Sequence, residues 1–277
     1  MTIDLYCVMG NPVQHSRSPW IHTRFAELTG QSMHYDKRLV PLDGFANALQ
    51  AFIDEGGRGC SVTVPFKFDA ARLATHCSER AKLAQASNTL HIQDGQIFAD
   101  NTDGVGLVND IQRNAGLALQ GREVLLIGAG GAASGVLAPL LQAGPAKLTV
   151  ANRTLSKAAD LVARHAELAL HNKSELRASD LQGLAGNFDI VINASASSLS
   201  GAGVPVAAST LKPGALAYDM MYGDAAQGFL TWAHEHGAVG RDGLGMLVEQ
   251  AAQAFQIWRG VLPPAQQVLA ELRALMR

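Results

Sequence analysis

In the run SVTVPFK, Ser61 to Lys67, the residues Val62, Thr63 and Val64 favour a strand, Pro65 stops it, and a lone lysine, Lys67, follows. An ammonium at the C-terminal end of a strand stands where α/β proteins keep their ligand clefts. There it can stabilise or protonate a developing oxyanion. The plainer account is a solvated loop lysine with its head group in water. Three further polar clusters could give it company. GNPVQHSRSPWIH carries Ser16 and Ser18 beside a helix start, ASNTL carries Asn88, and DNTDGVGL carries Asp103. Taken singly, Ser18 reads as a helix cap, Asn88 as a turn former and Asp103 as the cap of the next helix. His15, His22 and His76 also draw notice; His15 has no carboxylate paired with it in sequence and reads as structural.

A second set of residues suits phosphate groups. In VLLIGAGGAASG, Val124 to Gly135, the residues Gly128, Gly130 and Ala133 fit G-x-G-x-x-G/A directly after a strand and at the opening of a helix. Gly128 permits the turn, Gly130 lets the backbone approach a pyrophosphate, and the helix start offers free N–H groups with a positive dipole end. A tight turn that needs glycine only for packing is the alternative. The next strand chooses between cofactors. An acidic residue at its end binds the ribose hydroxyls of NAD, but TVANRTLSK, Thr149 to Lys157, has no carboxylate. Asn152, Arg153, Thr154 and Lys157 present donors and cations instead, which suit a 2′-phosphate. The segment predicts NADP rather than NAD.

The elements that must position these residues form two α/β patterns. In the first, Leu5–Met9, His34–Val40 and Gly59–Val64 read as strands. A helix opens at Pro19 with Ser18 as its cap and closes at Gly30, and a second runs from an Asp43 cap to about Glu55. Strands spaced by helices imply parallel βαβ units. Thr89–Ile92 and Gln96–Ala99 around Asp94-Gly95 read as a hairpin. The second pattern has strands at Glu123–Ile127, Lys147–Ala151, Asp189–Asn193 and Ala215–Asp219, with helices at Gly131–Gln142 and Leu155–His165. A helix near Asp103–Leu107 joins the patterns, and helices Leu244–Trp258 and Ala265–Met276 end the chain. The expected fold class is α/β, with a cleft between an N-terminal domain and a doubly wound, Rossmann-like domain.

The blocks GNPVQHSRSP, SVTVPFK, SNTL, DNTDGVGL, GAGGAASG, NRT, YDMMY and DGLGMLVEQAA come in one order along nearly the whole chain. In that order and spacing the chain resembles the shikimate dehydrogenase family, whose NADP-dependent members interconvert 3-dehydroshikimate and shikimate in aromatic amino acid (chorismate) biosynthesis. The resemblance implies a substrate domain over residues 1–104, an NADP domain over 105–239, and C-terminal helices over 240–277 that return to the substrate domain. It implies a catalytic pair, Lys67 and Asp103. It places Ser16, Ser18 and Tyr222 on the substrate carboxylate, and Thr63, Lys67, Asn88, Asp103 and Gln250 on the ring hydroxyls. For NADP it implies Gly128, Ala129, Gly130, Gly131, Ala132, Asn152, Arg153, Thr154 and Lys157, with Met220 and Gly243 beside the nicotinamide and Glu79 also on the cofactor side. A dual quinate/shikimate dehydrogenase and a non-catalytic NADP-binding sensor are the competing readings. Three positions depart from the family pattern: Ser61 and Thr23 stand where amides are frequent, and NASASS, Asn193–Ser198, alters a loop containing Ser195.

Composition narrows the field. The chain of 277 residues is 48% apolar and 17% charged, enough for a sizeable core and against disorder. A net charge of −2 argues against nucleic acid or an anionic membrane as partner, and leaves a small molecule as the expected one. No apolar run approaches a membrane span, and Met-Thr-Ile-Asp does not begin a signal peptide, so a cytoplasmic protein is expected. Cys7, Cys60 and Cys77 lack metal-ligand spacing, and no metal is expected. Monomer and homodimer are not distinguished.

Overall fold

The apolar runs become central strands because helices cover both of their faces. Asp4–Gly10 is buried along most of its length and pairs in parallel with Met33–Leu39 on one side and Gly57–Val62 on the other. The computed structural model describes residues 3–195 and 205–276. It divides into two units, Met1–Gly106 with Val248–Arg277, and Leu107–Leu247.

The first unit carries a six-stranded sheet in the order Met33–Leu39, Asp4–Gly10, Gly57–Val62, Thr89–Gln93, Gln96–Asp100, His76–Cys77. Its first three strands are parallel. Thr89–Gln93 then runs antiparallel to Gly57–Val62 and forms a hairpin with Gln96–Asp100. Asp94 and Gly95 make that turn with φ of 51° and 72°, the left-handed pair that a two-residue hairpin loop demands. The helix Ser18–Thr29 has Pro19 in its first turn and ends at Gly30 with φ 65°. The last helices belong to this unit: Trp258 Nε1 donates to the Leu90 carbonyl at 3.0 Å, and Arg24 pairs with Glu271 at 2.7 Å.

Three local expectations change here. Strand three covers Gly57–Val62, so Thr63 and Val64 leave it. They turn instead into the cis Val64–Pro65 bond, the Phe66 amide closes the turn on the Thr63 carbonyl at 3.0 Å, and Phe66 packs on Phe45. Ser18 is inside its helix rather than capping it, since Arg17 holds the cap position. Gly44, not Asp43, stands at the cap of Phe45–Asp54.

The second unit is a six-stranded parallel sheet in the order Val239–Arg241, Leu211–Asp219, Phe188–Asn193, Glu123–Ile127, Lys147–Ala151, Glu175–Ser179. Chain order reverses between Glu123–Ile127 and Phe188–Asn193. This is the switch point of a doubly wound sheet, where ligands bind beyond the carboxyl ends of strands. A buried carboxylate ties its far half together. Asp110, on a π-helical turn at Asp110–Asn114, accepts from the Tyr218 hydroxyl at 2.8 Å and from Arg241 Nε and Nη2 at 2.8 and 2.6 Å.

Candidate active site

Four side chains meet at one end of the first sheet. Lys67 opens the helix Lys67–Leu73 just after the cis-proline turn. Asn88 immediately precedes the strand Thr89–Gln93, and its carbonyl accepts from the Val62 amide at 2.7 Å. Asp103 opens the helix Asp103–Asn109, and Gln250 comes from the helix Leu244–Arg259. Because Thr89–Gln93 runs antiparallel, its first residue lies beside the end of Gly57–Val62. Residues distant in sequence therefore share one edge.

The lysine and the aspartate are paired. Lys67 Nζ lies 2.5 Å from Asp103 Oδ2, and the side chains are 17% and 7% exposed. Asn88 Nδ2 donates to the other Asp103 oxygen at 2.8 Å, and also to Thr102 Oγ1 at 2.9 Å and Gln250 Oε1 at 3.1 Å. Asn88 Oδ1 accepts from the Thr102 amide at 2.8 Å, which fixes the amide's orientation. Asp103 thus has a cation on one oxygen and a neutral donor on the other. That is what a carboxylate needs if it is to stay ionised out of water and hold an amine in one place. Thr102 was not singled out from sequence, although DNTDGVGL contains it.

Ser16 and Ser18 stand after the end of Asp4–Gly10, with the Ser18 amide donating to Ser16 Oγ at 3.3 Å. Thr63 is half-buried in the turn before Lys67. The Ser61 hydroxyl, where amides are frequent, accepts from Tyr35 Oη at 2.8 Å. Thr23 and His15 are exposed, and exposed His76 bonds Gln96 at 3.1 Å. Tyr222 belongs to the second unit, directly after Met221.

In the second unit, Gly128 follows Ile127 with φ 111°, and a Cβ there would lie 3.1 Å from the Ala194 carbonyl, so only glycine fits. A Cβ on Gly130 would meet nothing within 4 Å, and the helix Gly131–Gln142 starts there with no side chain capping it. The first turn, Gly131 and Ala132 included, keeps N–H groups for an anion, and Ala129 packs against the core behind it. Past Lys147–Ala151, Asn152 Nδ2 closes on the Thr154 carbonyl at 2.9 Å. Arg153, Thr154 and Lys157 are exposed, and among the described residues no side chain pairs with the Arg153 guanidinium. An open helix start beside an unpaired guanidinium fits a dinucleotide carrying an extra phosphate.

Met220 and Gly243 are adjacent: a Cβ on Gly243 would lie 2.3 Å from the Met220 carbonyl oxygen. Glu79, in the first unit, is exposed and paired with Lys82 at 2.7 Å. Ser195 bonds back to Asn193, with Oγ 2.7 Å from Asn193 Oδ1, which gives it a turn-forming role. The rest of the altered loop, from residue 196, lies outside the described residues.

Three family models match the chain: the shikimate dehydrogenase substrate binding domain over residues 8–90, shikimate / quinate 5-dehydrogenase over 110–202, and the shikimate 5′-dehydrogenase C-terminal domain over 243–273. A shikimate dehydrogenase (NADP(+)) of Acidovorax sp. is 66% identical over 98% of this chain and 96% of its own. One of Verminephrobacter eiseniae is 66% identical over 98% and 95%. The crystal structure of shikimate 5-dehydrogenase from Thermus thermophilus in complex with NADP(H) and shikimate superposes with a TM-score of 0.83 at 27% identity, covering 98% of this chain and 99% of that one.

Proposed function

Because the chain belongs to the shikimate dehydrogenase family, we infer that its reaction is the reversible, NADPH-dependent reduction of 3-dehydroshikimate to shikimate. It is an oxidoreductase that takes a small-molecule substrate. No helix among the described residues is long and apolar enough to cross a membrane. The dual quinate reading is not favoured, since the relatives at 66% identity carry the shikimate and NADP(+) name. A non-catalytic sensor would have no use for a desolvated lysine–aspartate pair.

The pair is the observation that carries the chemistry. NADPH, when bound, supplies a hydride to the ketone carbon. The ketone oxygen then needs a proton, and Lys67 gives it as an ammonium, becoming a neutral amine. In the reverse direction the amine takes the proton back. Asp103 holds Nζ at 2.5 Å, while Asn88 holds Asp103. Asn88, Thr63 and Gln250 offer neutral donors and acceptors to ring hydroxyls, and Ser16, Ser18 and Tyr222 take the carboxylate. A polyol is recognised by many such groups, because each missing hydroxyl would leave one of them unpaired. For the cofactor, Gly128 to Ala132 would hold the pyrophosphate, Asn152 to Lys157 the 2′-phosphate, and Met220 and Gly243 the nicotinamide side. Glu79 has the weakest case, since its carboxylate already holds Lys82.

Turnover of shikimate and quinate with NADP and NAD by the purified protein tests this reading. Shikimate with NADP should be the preferred combination by at least about tenfold, a difference of about 1.4 kcal/mol in transition-state binding. Equal use of quinate would restore the dual reading, and tight NADPH binding without turnover would restore the sensor.

A further inference from the structure

Asp219 ends the strand Leu211–Asp219, Asn193 ends Phe188–Asn193, and neither has a part in the reaction described so far. The two are register partners in the parallel sheet of the second unit. On its other side Asn193 pairs with Ile127, the residue before Gly128. Both are buried, at 0% exposure for Asp219 and 1% for Asn193. A carboxylate out of water is costly unless its oxygens are hydrogen-bonded. Here Asp219 Oδ1 accepts from the Met221 amide at 2.9 Å, and Oδ2 accepts from Asn193 Nδ2 at 3.3 Å. Asn193 Oδ1 in turn accepts from the Ser195 amide at 3.1 Å and from Ser195 Oγ at 2.7 Å. Backbone bonds reinforce the set. The Met220 amide donates to the Asn193 carbonyl at 3.0 Å, and the Gly243 amide donates to the Met221 carbonyl at 2.8 Å.

We propose that Asp219, through its bond to Asn193, is a positioning residue for the nicotinamide ring. The proposal rests on the reading that Met220 and Gly243 stand beside that ring. Met220 is held on both sides, its own amide by the Asn193 carbonyl and the next amide by the Asp219 carboxylate. Gly243 is tied to the same turn through Met221. One run of bonds, Gly243–Met221–Asp219–Asn193–Ser195, therefore links the segments that follow three neighbouring strands. Hydride transfer needs that precision, since a misplacement of about 1 Å costs on the order of 100-fold in rate. A carboxylate can do here what an amide cannot. Both of its oxygens accept, so it takes the Met221 amide on one and the Asn193 amide nitrogen on the other. An amide at position 219 keeps the Met221 bond only by turning its NH₂ toward the NH₂ of Asn193. Asn193 cannot flip in answer without giving up both bonds from Ser195.

Asp219→Asn therefore keeps the shape and breaks one bond. Combining it with Asn193→Asp restores that bond with donor and acceptor exchanged, while Ser195 and Met221 keep their acceptors. The measurement is single-turnover hydride transfer from NADPH to 3-dehydroshikimate. Inhibition by adenosine 2′,5′-bisphosphate, which lacks the nicotinamide, is the second readout. Asp219→Asn should slow hydride transfer about 10- to 100-fold and leave the bisphosphate inhibition constant within about twofold. The exchanged pair should return to within about threefold of the wild-type rate, because only the coupling between the two side chains was lost. Asp219→Asn at the wild-type rate overturns the proposal. So does an equal loss of bisphosphate affinity, which would make Asp219 a support of the whole unit, and so does an exchanged pair no faster than the single variant. Should Asp219→Asn fail to fold, the exchanged pair decides alone: a wild-type rate supports the proposal and a lost rate overturns it. A wild-type protein that binds NADPH but transfers no hydride to 3-dehydroshikimate would defeat the reaction reading and the proposal with it, whereas the variant results defeat the proposal alone.

Discussion

Acid should weaken the first unit through one imidazole. His22 is fully buried among Phe25, Tyr35, Phe255 and Trp258, and neither ring nitrogen has a hydrogen-bond partner among the described residues. Burial pushes its pKa from 6.5 down to about 3. The unfolded chain therefore takes up a proton near pH 6.5 that the folded one refuses until near pH 3. Across that window the unfolded state binds more protons, so stability falls as pH drops. Each pH unit below the unfolded value costs about 1.4 kcal/mol, or about 2 kcal/mol by roughly pH 5. Asp100 acts in a separate window. Burial opposes its ionisation, but Arg80 and Ser78 hold its pKa below the ordinary 3.8, so its contribution is lost only at more acid pH. The assay is urea unfolding read by Trp20 and Trp258 in a Trp232→Phe background, which keeps the signal in the first unit. That choice also excludes His165, a second buried imidazole with a lowered pKa, which lies in the other unit. Between about pH 7.5 and about pH 5, the protein with His22 should lose about 2 kcal/mol more than its His22→Phe variant. Equal losses would refute the reasoning.

Other substitutions probe the cofactor side. Arg153→Ala should raise KM for NADPH about 10- to 100-fold and leave KM for NADH little changed, by removing a charge-assisted contact to a 2′-phosphate; steady-state kinetics with both cofactors checks it. Gly243→Ala would press a methyl group to 2.3 Å from the Met220 carbonyl oxygen, so the turn must shift. It should lower kcat by about tenfold or more while adenosine 2′,5′-bisphosphate inhibits as before. Asp110→Asn takes the buried carboxylate's charge away from half-buried Arg241 and should cost the second unit about 3 kcal/mol, read by Trp232 fluorescence in urea.

Some of this architecture is legible because local chemistry forces it. Gly128 must be glycine at φ 111°, and Asp94-Gly95 is a hairpin turn on its own terms. The apolar stretches within Glu123–Ile127 and Phe188–Asn193 belong in a sheet covered on both faces. What is not legible depends on partners far along the chain. Ser18 looks like a helix cap until the helix is seen to include it, with Arg17 in the cap position. Val62, Thr63 and Val64 look alike in sequence, yet only the first stays in the strand, because the proline turn takes the other two. Lys67 and Asp103 are each ambiguous alone; Asn88, whose amide reaches Asp103, Thr102 and Gln250 at once, makes them a site. Nothing in the sequence near Asp110 points to Arg241, which reaches it from 131 positions away. The strand His76–Cys77 is too short to leave a periodic signal.

The most direct test of the account is a single-turnover measurement of NADPH oxidation by Lys67→Ala with 3-dehydroshikimate, alongside NADPH binding by the same protein. Loss of a proton donor placed at the reacting oxygen should slow hydride transfer by about 10²- to 10⁴-fold while the NADPH dissociation constant stays within about twofold. Hydride transfer at the wild-type rate would contradict it, because the proton would then reach the ketone oxygen without the Lys67–Asp103 pair.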